Sequence, residues 1–376
     1  VWPSWVEGEL ADCKALREQL APIAAAVEEE ARRIGVIVPG ARPSRAAFSF
    51  GSATPEAVEL DQLSMAEWLD ANVPGMTGEP IGSYLDMSMA GWYGLEMDQL
   101  SACTWMDYFV IPAPGADERW RIRGGNDHVT TMLADALPEG TLHLETPLEA
   151  MRVRSDGSYE LGFDGIASPI VADIVILTLP FTTLRGVDLT EAGFDEGRMA
   201  AIDELGMGLD VKLFLQYERR PTEFDVDGRV WSGGMEHTDP NFQTWESSAA
   251  QPGSSGLITV YAGGANGASW TADELHAPAP DAFAAEYVRM IDEVVPGTAS
   301  SFNGQAWLDL WARSVDAGLL RRVPTRSVHE VLGIDGPVRG CRAFRGRAHL
   351  DVQPGVPEWR RRKRSARGDR GAAGPR

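Results

Sequence analysis

One lysine stands in a run where a charge is out of place. Lys212 interrupts Val211-Lys212-Leu213-Phe214-Leu215-Gln216-Tyr217. On a strand, Val211, Leu213 and Leu215 face one side, and Lys212, Phe214 and Gln216 the other. Such a lysine is either a half-exposed edge residue, since lysine is rarely buried, or it points into a functional cavity. Two further places have chemistry-bearing residue types. Arg123-Gly124-Gly125-Asn126 is a double-glycine turn, read equally as a plain strand-to-helix connection where glycine permits positive φ or as backbone that approaches a ligand. Trp311 reads by itself as a core ring. His128, His143, His237, His276, His329 and His349 do not cluster at ligand spacing, and Cys13, Cys103 and Cys341 form no CxxC, so neither a metal site nor a disulfide framework is expected. The dinucleotide fingerprint GxGxxG is absent; Ala262-Gly263-Gly264-Ala265-Asn266-Gly267 is a partial likeness placed late in the chain.

These residues must be positioned by elements of two textures. Apolar residues at Leu10, Leu16, Leu20, Ile23, Ala26, Val27, Ala31 and Ile34 predict a helix over 10–36. Residues 37–60, rich in Pro, Gly, Ser and Ala, read as a loop. Ser64 and Glu67 form a capping-box pair at the start of a helix, and residues 80–109 read as helical, with Trp92, Tyr93, Trp105, Tyr108 and Phe109 either in the core or lining a pocket. From Trp120 onward strands take over: 120–123, then a helix through Leu133 and Leu137, strands at 141–144, 150–153 and 159–163, and a nearly continuous apolar run, Ile170 to Leu179, of the kind that forms a fully buried parallel strand. The strand 211–217, a strand 257–261 and a helix 281–294 follow.

The 376 residues carry a net charge of −21, with 44% hydrophobic residues, so two domains and a large core are accessible. The acidic body argues against nucleic acid. No stretch is long and apolar enough to span a bilayer, no signal peptide is visible, and a cytoplasmic location is expected. The chain starts at Val1 without an initiator Met, which reads as an internal fragment.

Five segments, in order, resemble the flavin-containing amine oxidases, the family of monoamine, polyamine and L-amino-acid oxidases. Leu63 to Asp70 resembles that family's LSxxxWLD helix. Arg123 to Asn126, with Val129, Leu133, Ala134 and Leu137, resembles its double-glycine turn and helix. Leu144 to Met151 resembles a strand pair whose residue at Leu148 meets the adenine end of FAD by backbone. Ala172-Asp173 through Thr178, Pro180, Phe181 and Leu184 resembles its ADxVIxTxP strand. Gly206 to Leu215 resembles the strand whose lysine, here Lys212, holds a water against the flavin's reactive nitrogen. The resemblance implies FAD as cofactor, contacts to it from Arg123, Gly124, Gly125, Leu148, Thr178, Pro180 and Trp311, and Lys212 as the catalytic residue. It implies oxidation of an amine or amino-acid substrate by hydride transfer to flavin, with oxygen as acceptor, hydrogen peroxide as product and a homodimer as the assembly considered. The fold class is then α/β: an incomplete doubly wound FAD-binding domain plus a substrate domain of mixed β-sheet and helices. A mainly helical substrate-domain part spans 1–120, an FAD-domain segment 121–185, and substrate-domain sheet and helices 186–312.

Residues 313–376 read differently. They hold 16 Lys+Arg against 6 Asp+Glu, leaving the rest of the chain with 18 basic and 49 acidic side chains. Codons compatible with 344–351, read one base later, encode FAGEHTS; those for 313–328 permit DPWTRGSYAAYRPGQF. Both strings resemble the C-terminal flavin-binding segment of the same family, so 313–376 is expected to be out-of-frame, poorly ordered sequence starting near Ala312. The printed polypeptide is accordingly expected to hold FAD weakly or not at all. The other reading is a natural disordered basic tail on a non-catalytic acidic scaffold.

Overall fold

The structure, a computed structural model, describes residues 1–49, 52–111, 122, 125–249, 251–272 and 274–310. Arg123, Gly124, Trp311 and the 313–376 segment lie outside these described residues.

The chain opens with β1 (Ser4–Val6) and β2 (Glu9–Leu10), then enters α1 (Cys13–Arg33), capped by the Asp12 side chain accepting from the Lys14 amide. Ile23, Val27 and Ala31, spaced by four, are its buried stripe. Helix α2 (Pro55–Leu60) falls inside the predicted loop: Thr54 caps it and Pro55 sits at its first turn, where a missing N–H costs nothing. Helix α3 (Met65–Asn72) starts with the predicted capping box, Ser64 Oγ accepting from Glu67 N at 3.0 Å and Glu67 Oε2 accepting from Ser64 N at 2.8 Å. Helix α4 (Pro80–Tyr93) ends at Gly94 in the left-handed region, φ +67°. Trp68, Trp105 and the residues around them close one hydrophobic core over these helices; Trp105 and Trp68 rings are 5.9 Å apart, whereas Trp92 is exposed.

After α5 (Asp127–Asp135), a second, smaller core is formed by residues of β3 (Leu148–Val153), β4 (Tyr159–Phe163), β5 (Ile170–Ala172), α6 (Phe181–Leu184) and α7 (Glu196–Glu204). The three strands form an antiparallel sheet packed on Leu184, Leu189 and Ile202. Helix α5 buries none of its residues; Met132 and Leu133 are exposed. The predicted strand 141–144 is irregular and exposed. The predicted buried strand 170–179 is corrected most strongly: only Ile170–Ala172 pairs, antiparallel to β4, and Ile174 is 81% and Ile176 72% exposed. An apolar run records a demand for burial; among the described residues no neighbouring strand meets it.

The third core lies under an eight-stranded mixed sheet. Its strands are β1 and β2 with β6 (Val211–Tyr217), β9 (Met235–Thr238), β10 (Asn241–Glu246), β11 (Gly256–Ala262), β12 (His276–Pro278) and β13 (Phe302–Asp309), in the order β12-β13-β6-β11-β10-β9-β1-β2. A hairpin of β7 (Asp225–Val226) and β8 (Arg229–Val230) stands beside it. Between β11 and β12 runs the short α8 (Gly264–Ser269), so the glycine run of 262–267 is a strand-to-helix junction. Helix α9 (Asp281–Val294) buries Ala284, Tyr287, Val288, Ile291 and Val294 with Leu213, Leu215 and Leu308, against one face of the sheet. The opposite face carries Lys212. Among the described residues no helix is long and apolar enough to cross a membrane.

A charged and aromatic sheet face as candidate active site

Strand β6 alternates as its sequence demands: Val211, Leu213, Leu215 and Tyr217 are buried, and Lys212, Phe214 and Gln216 are half-buried on the other face. The strand pairs place two rows across that face. Directly opposed residues share a face with Cβ atoms in contact range. The first row runs His276, Asp309, Lys212, Tyr261, Gln243, Glu236, Ser4. The second, one pleat along, runs Trp307, Phe214, Thr259, Trp245. A cation therefore sits between a carboxylate and a phenol, beside an aromatic floor. Over β9 and β10 the face is roofed by α4, whose Tyr84 donates to Glu236 at 3.2 Å, while Ser4 on β1 donates to the same carboxyl at 2.6 Å. Burial raises the Glu236 carboxyl, and these two bonds oppose the shift. Toward β13 the floor opens, and Trp307 is 43% exposed.

Lys212 makes no hydrogen bond or ion pair with another described residue. Asp309, its neighbour on β13, is committed: Oδ1 accepts Trp307 Nε1–H at 3.1 Å and lies 3.0 Å from His276 Nδ1. Asp210, two residues before Lys212, accepts a hydrogen bond from the Tyr261 hydroxyl through its carboxyl group, while its Oδ1 is buried without a partner. Burial pushes the Asp210 carboxyl up to about 6, against the Tyr261 hydrogen bond and the Lys212 charge. Tyr261 is pushed up in turn, by burial first and then by the Asp210 charge. Its ring lies 5.6 Å from that of Trp245.

Backbone contact fixes this corner. Leu209 N and Gly264 N both donate to the Gly94 carbonyl, at 3.0 and 3.2 Å. A Cβ on Gly208 would lie 2.0 Å from Tyr93 O, and one on Gly263 would lie 2.0 Å from Ala90 O and 2.9 Å from Asp210 Oδ1. The end of α4, the segment entering β6 and the exit of β11 thus meet with no room for a side chain, and Lys212 and Tyr261 leave from that junction.

The other residues named from the sequence stand elsewhere. Gly125 has φ +120°, and a Cβ there would come within 2.5 Å of Asp127 Oδ1, as a tight turn into α5 requires. Leu148 opens β3 half-buried, opposite Phe163 with a bulge following. Thr178 is exposed and unpaired among the described residues, and Pro180 is exposed immediately before α6. Leu148 belongs to the small core and Lys212 to the large sheet, so the described residues do not gather them into one constellation. Sequence reasoning missed Asp210, Asp309, His276 and Trp307. Strand alternation was signal enough for Asp210; the others reach Lys212 only through cross-strand register.

For FAD, the group implied by the resemblance, the residues present fit the ring end. They offer an uncommitted lysine at the edge of a half-open aromatic floor. Thr182 Oγ1, two residues after Pro180, is buried without a partner among the described residues, and the chain holds no GxGxxG turn for a pyrophosphate.

The chain matches the flavin containing amine oxidoreductase family over residues 5–327. Among solved structures it is similar to cyclohexylamine oxidase from Brevibacterium oxydans, with 16% identity and a TM-score of 0.64, over 83% of this chain and 66% of that one. It is also similar to an engineered triple mutant of putrescine oxidase, with 14% identity and a TM-score of 0.60, over 90% and 68% of the two chains. Wild-type putrescine oxidase bound to putrescine gives 14% identity and a TM-score of 0.59, over 80% and 65%. At these identities the likeness is one of fold, and the chain spans about two thirds of the length of these structures. Comparison with curated proteins gives no match. The family match supports an oxidoreductase over a non-catalytic scaffold, and FAD is the cofactor that goes with it. Because that match takes in most of the chain, from the first strand of the large sheet through the last, the protein belongs to the flavin-containing amine oxidoreductase family.

Proposed function

We propose that the protein oxidises a primary or secondary amine, or an L-amino acid, to the imine, with oxygen reduced to hydrogen peroxide. The observation that carries this reading is Lys212: a half-buried lysine with no ion pair among the described residues, set between Asp309 and Tyr261 on an aromatic floor. FAD, when bound, supplies the hydride acceptor that side chains lack. In this reading Lys212 holds a water at the flavin's reactive nitrogen. Phe214, Trp307, Trp245 and Tyr261 hold the hydrocarbon part of the substrate and keep bulk water away from it. Asp309 fixes the Trp307 ring through Nε1. On the cofactor side, the same reading assigns contacts with FAD to the Leu148 backbone, Gly125, Thr178 and Pro180, and to Arg123, Gly124 and Trp311, which lie outside the described residues. A cytoplasmic homodimer belongs to the same proposal.

The test is to purify the full chain, add FAD and follow peroxide with cyclohexylamine, putrescine and L-amino acids as separate substrates, alongside Lys212→Met. Amine-dependent peroxide that drops at least tenfold in Lys212→Met supports the proposal. A protein that takes up FAD yet yields no peroxide with any of the three classes overturns it.

A further inference from the structure

Asp210 has no part in the chemistry above, yet it is the titratable group built most tightly into the Lys212 corner. Its buried Oδ1 and the Ala90 carbonyl oxygen both flank Gly263, 2.9 and 2.0 Å from where a Cβ would stand there, and the Oδ1 has no partner among the described residues. Ala90 lies in the last turn of α4, the negative end of that helix, and its carbonyl accepts Gly94 N–H at 2.9 Å, which leaves a second lone pair.

We propose that Asp210 is a positioning residue for the Lys212 site, its carboxyl group clasping the end of α4 onto β6 and β11 when protonated and releasing it when ionised. In the protonated state the carboxyl has an O–H to offer the Ala90 carbonyl. In the ionised state it places a negative charge against that carbonyl and against the helix end. The groups facing it are Lys212 from its own strand, which favours ionisation, and Tyr261 from β11, which donates to it. Glu96 follows α4 and accepts from the Ala265 amide at 2.5 Å, and Asp309 stands across Lys212 on β13. With the carboxyl at about 6, the changeover lies near neutrality. Lys212 is two residues from the clasp and Tyr261 bonds to it directly, so the clasp sets how firmly both side chains are held. Its relevance to catalysis rests on the amine oxidase reading; the clasp itself does not.

Hydrogen exchange tests it on the full chain, with no substrate or cofactor present. The amides to read are Gly94, Leu209 and Gly264, whose N–H groups tie the three segments together. Corrected for intrinsic base catalysis, their protection should fall about tenfold as pH rises from 5 to 8, one unit of free-energy coupling on the pKa scale. Asp210→Asn, which stays neutral and can still donate, should keep the low-pH protection throughout, and Glu96→Gln should leave the fall in place. Protection that is flat in the unmodified protein, the same fall in Asp210→Asn, or a fall abolished by Glu96→Gln would each overturn the proposal. Because no amine enters the experiment, failure here leaves the amine oxidase reading standing, and absence of peroxide leaves the clasp standing.

Discussion

Replacing Tyr261 by Phe removes the donor that stabilises a buried carboxylate while keeping the ring against Trp245. A hydrogen bond to a charged acceptor contributes about 1.5–3 kcal/mol, a neutral one about 1 kcal/mol. Losing the bond should lift the Asp210 carboxyl from about 6 by the difference between these two values, roughly 0.4 to 1.5 pKa units. The sign follows from linkage. Asp210 holds its proton more tightly folded than unfolded, so its contribution is fully present below the unfolded value near 3.8 and is lost as pH rises toward the folded value. In the unmodified protein that loss is complete a little above pH 6. In Tyr261→Phe it continues to about pH 6.5–7.5. Stability relative to the unmodified protein should therefore drop by about 1 kcal/mol at pH 4.5, where the lost bond is neutral, and by about 1.5–3 kcal/mol at pH 8.5. Urea denaturation followed by tryptophan fluorescence at the two pH values measures both numbers. Equal losses at pH 4.5 and 8.5 would refute the coupling of Tyr261 to an ionising Asp210.

Three further outcomes follow from the packing. Gly263→Ala should cost more than about 2 kcal/mol and lower Lys212-dependent activity with it, because its Cβ meets the Ala90 carbonyl, which is backbone and cannot rotate away; a fully stable, fully active variant would show that the junction yields. Ser64→Ala should cost about 1 kcal/mol with no effect on peroxide production, since it opens only the α3 capping box; thermal denaturation and the peroxide assay separate the two. Ile176→Lys should change stability by less than about 0.5 kcal/mol, as a substitution at a side chain 72% exposed does; a loss of several kcal/mol on urea denaturation would mean that the run 174–179 is buried after all.

Much of this protein is legible in local pattern. The α1 stripe, the α3 capping box, the alternation of β6 and the span of α9 are each set by residues within a few positions of one another, and periodicity or a cap specifies them without knowledge of the rest. Lys212 could be placed on the polar face of its strand for that reason, and five short segments in order sufficed for the family. The neighbours of Lys212 were not legible. Asp309, His276 and Trp307 lie about 64 to 97 residues further along the chain and reach it only because β13 pairs with β6 and β12 with β13, and register between distant strands is a property of the whole sheet. Nor could the apolar run 170–179 disclose its fate: hydrophobicity encodes a demand for burial, and only the assembled structure decides whether a partner surface meets it. Asp210 shows both sides. Alternation put it on the Lys212 face, but the buried oxygen, the Tyr261 bond and the raised carboxyl exist only where α4, β6 and β11 close on one another, because desolvation is a property of what surrounds a group and not of its sequence.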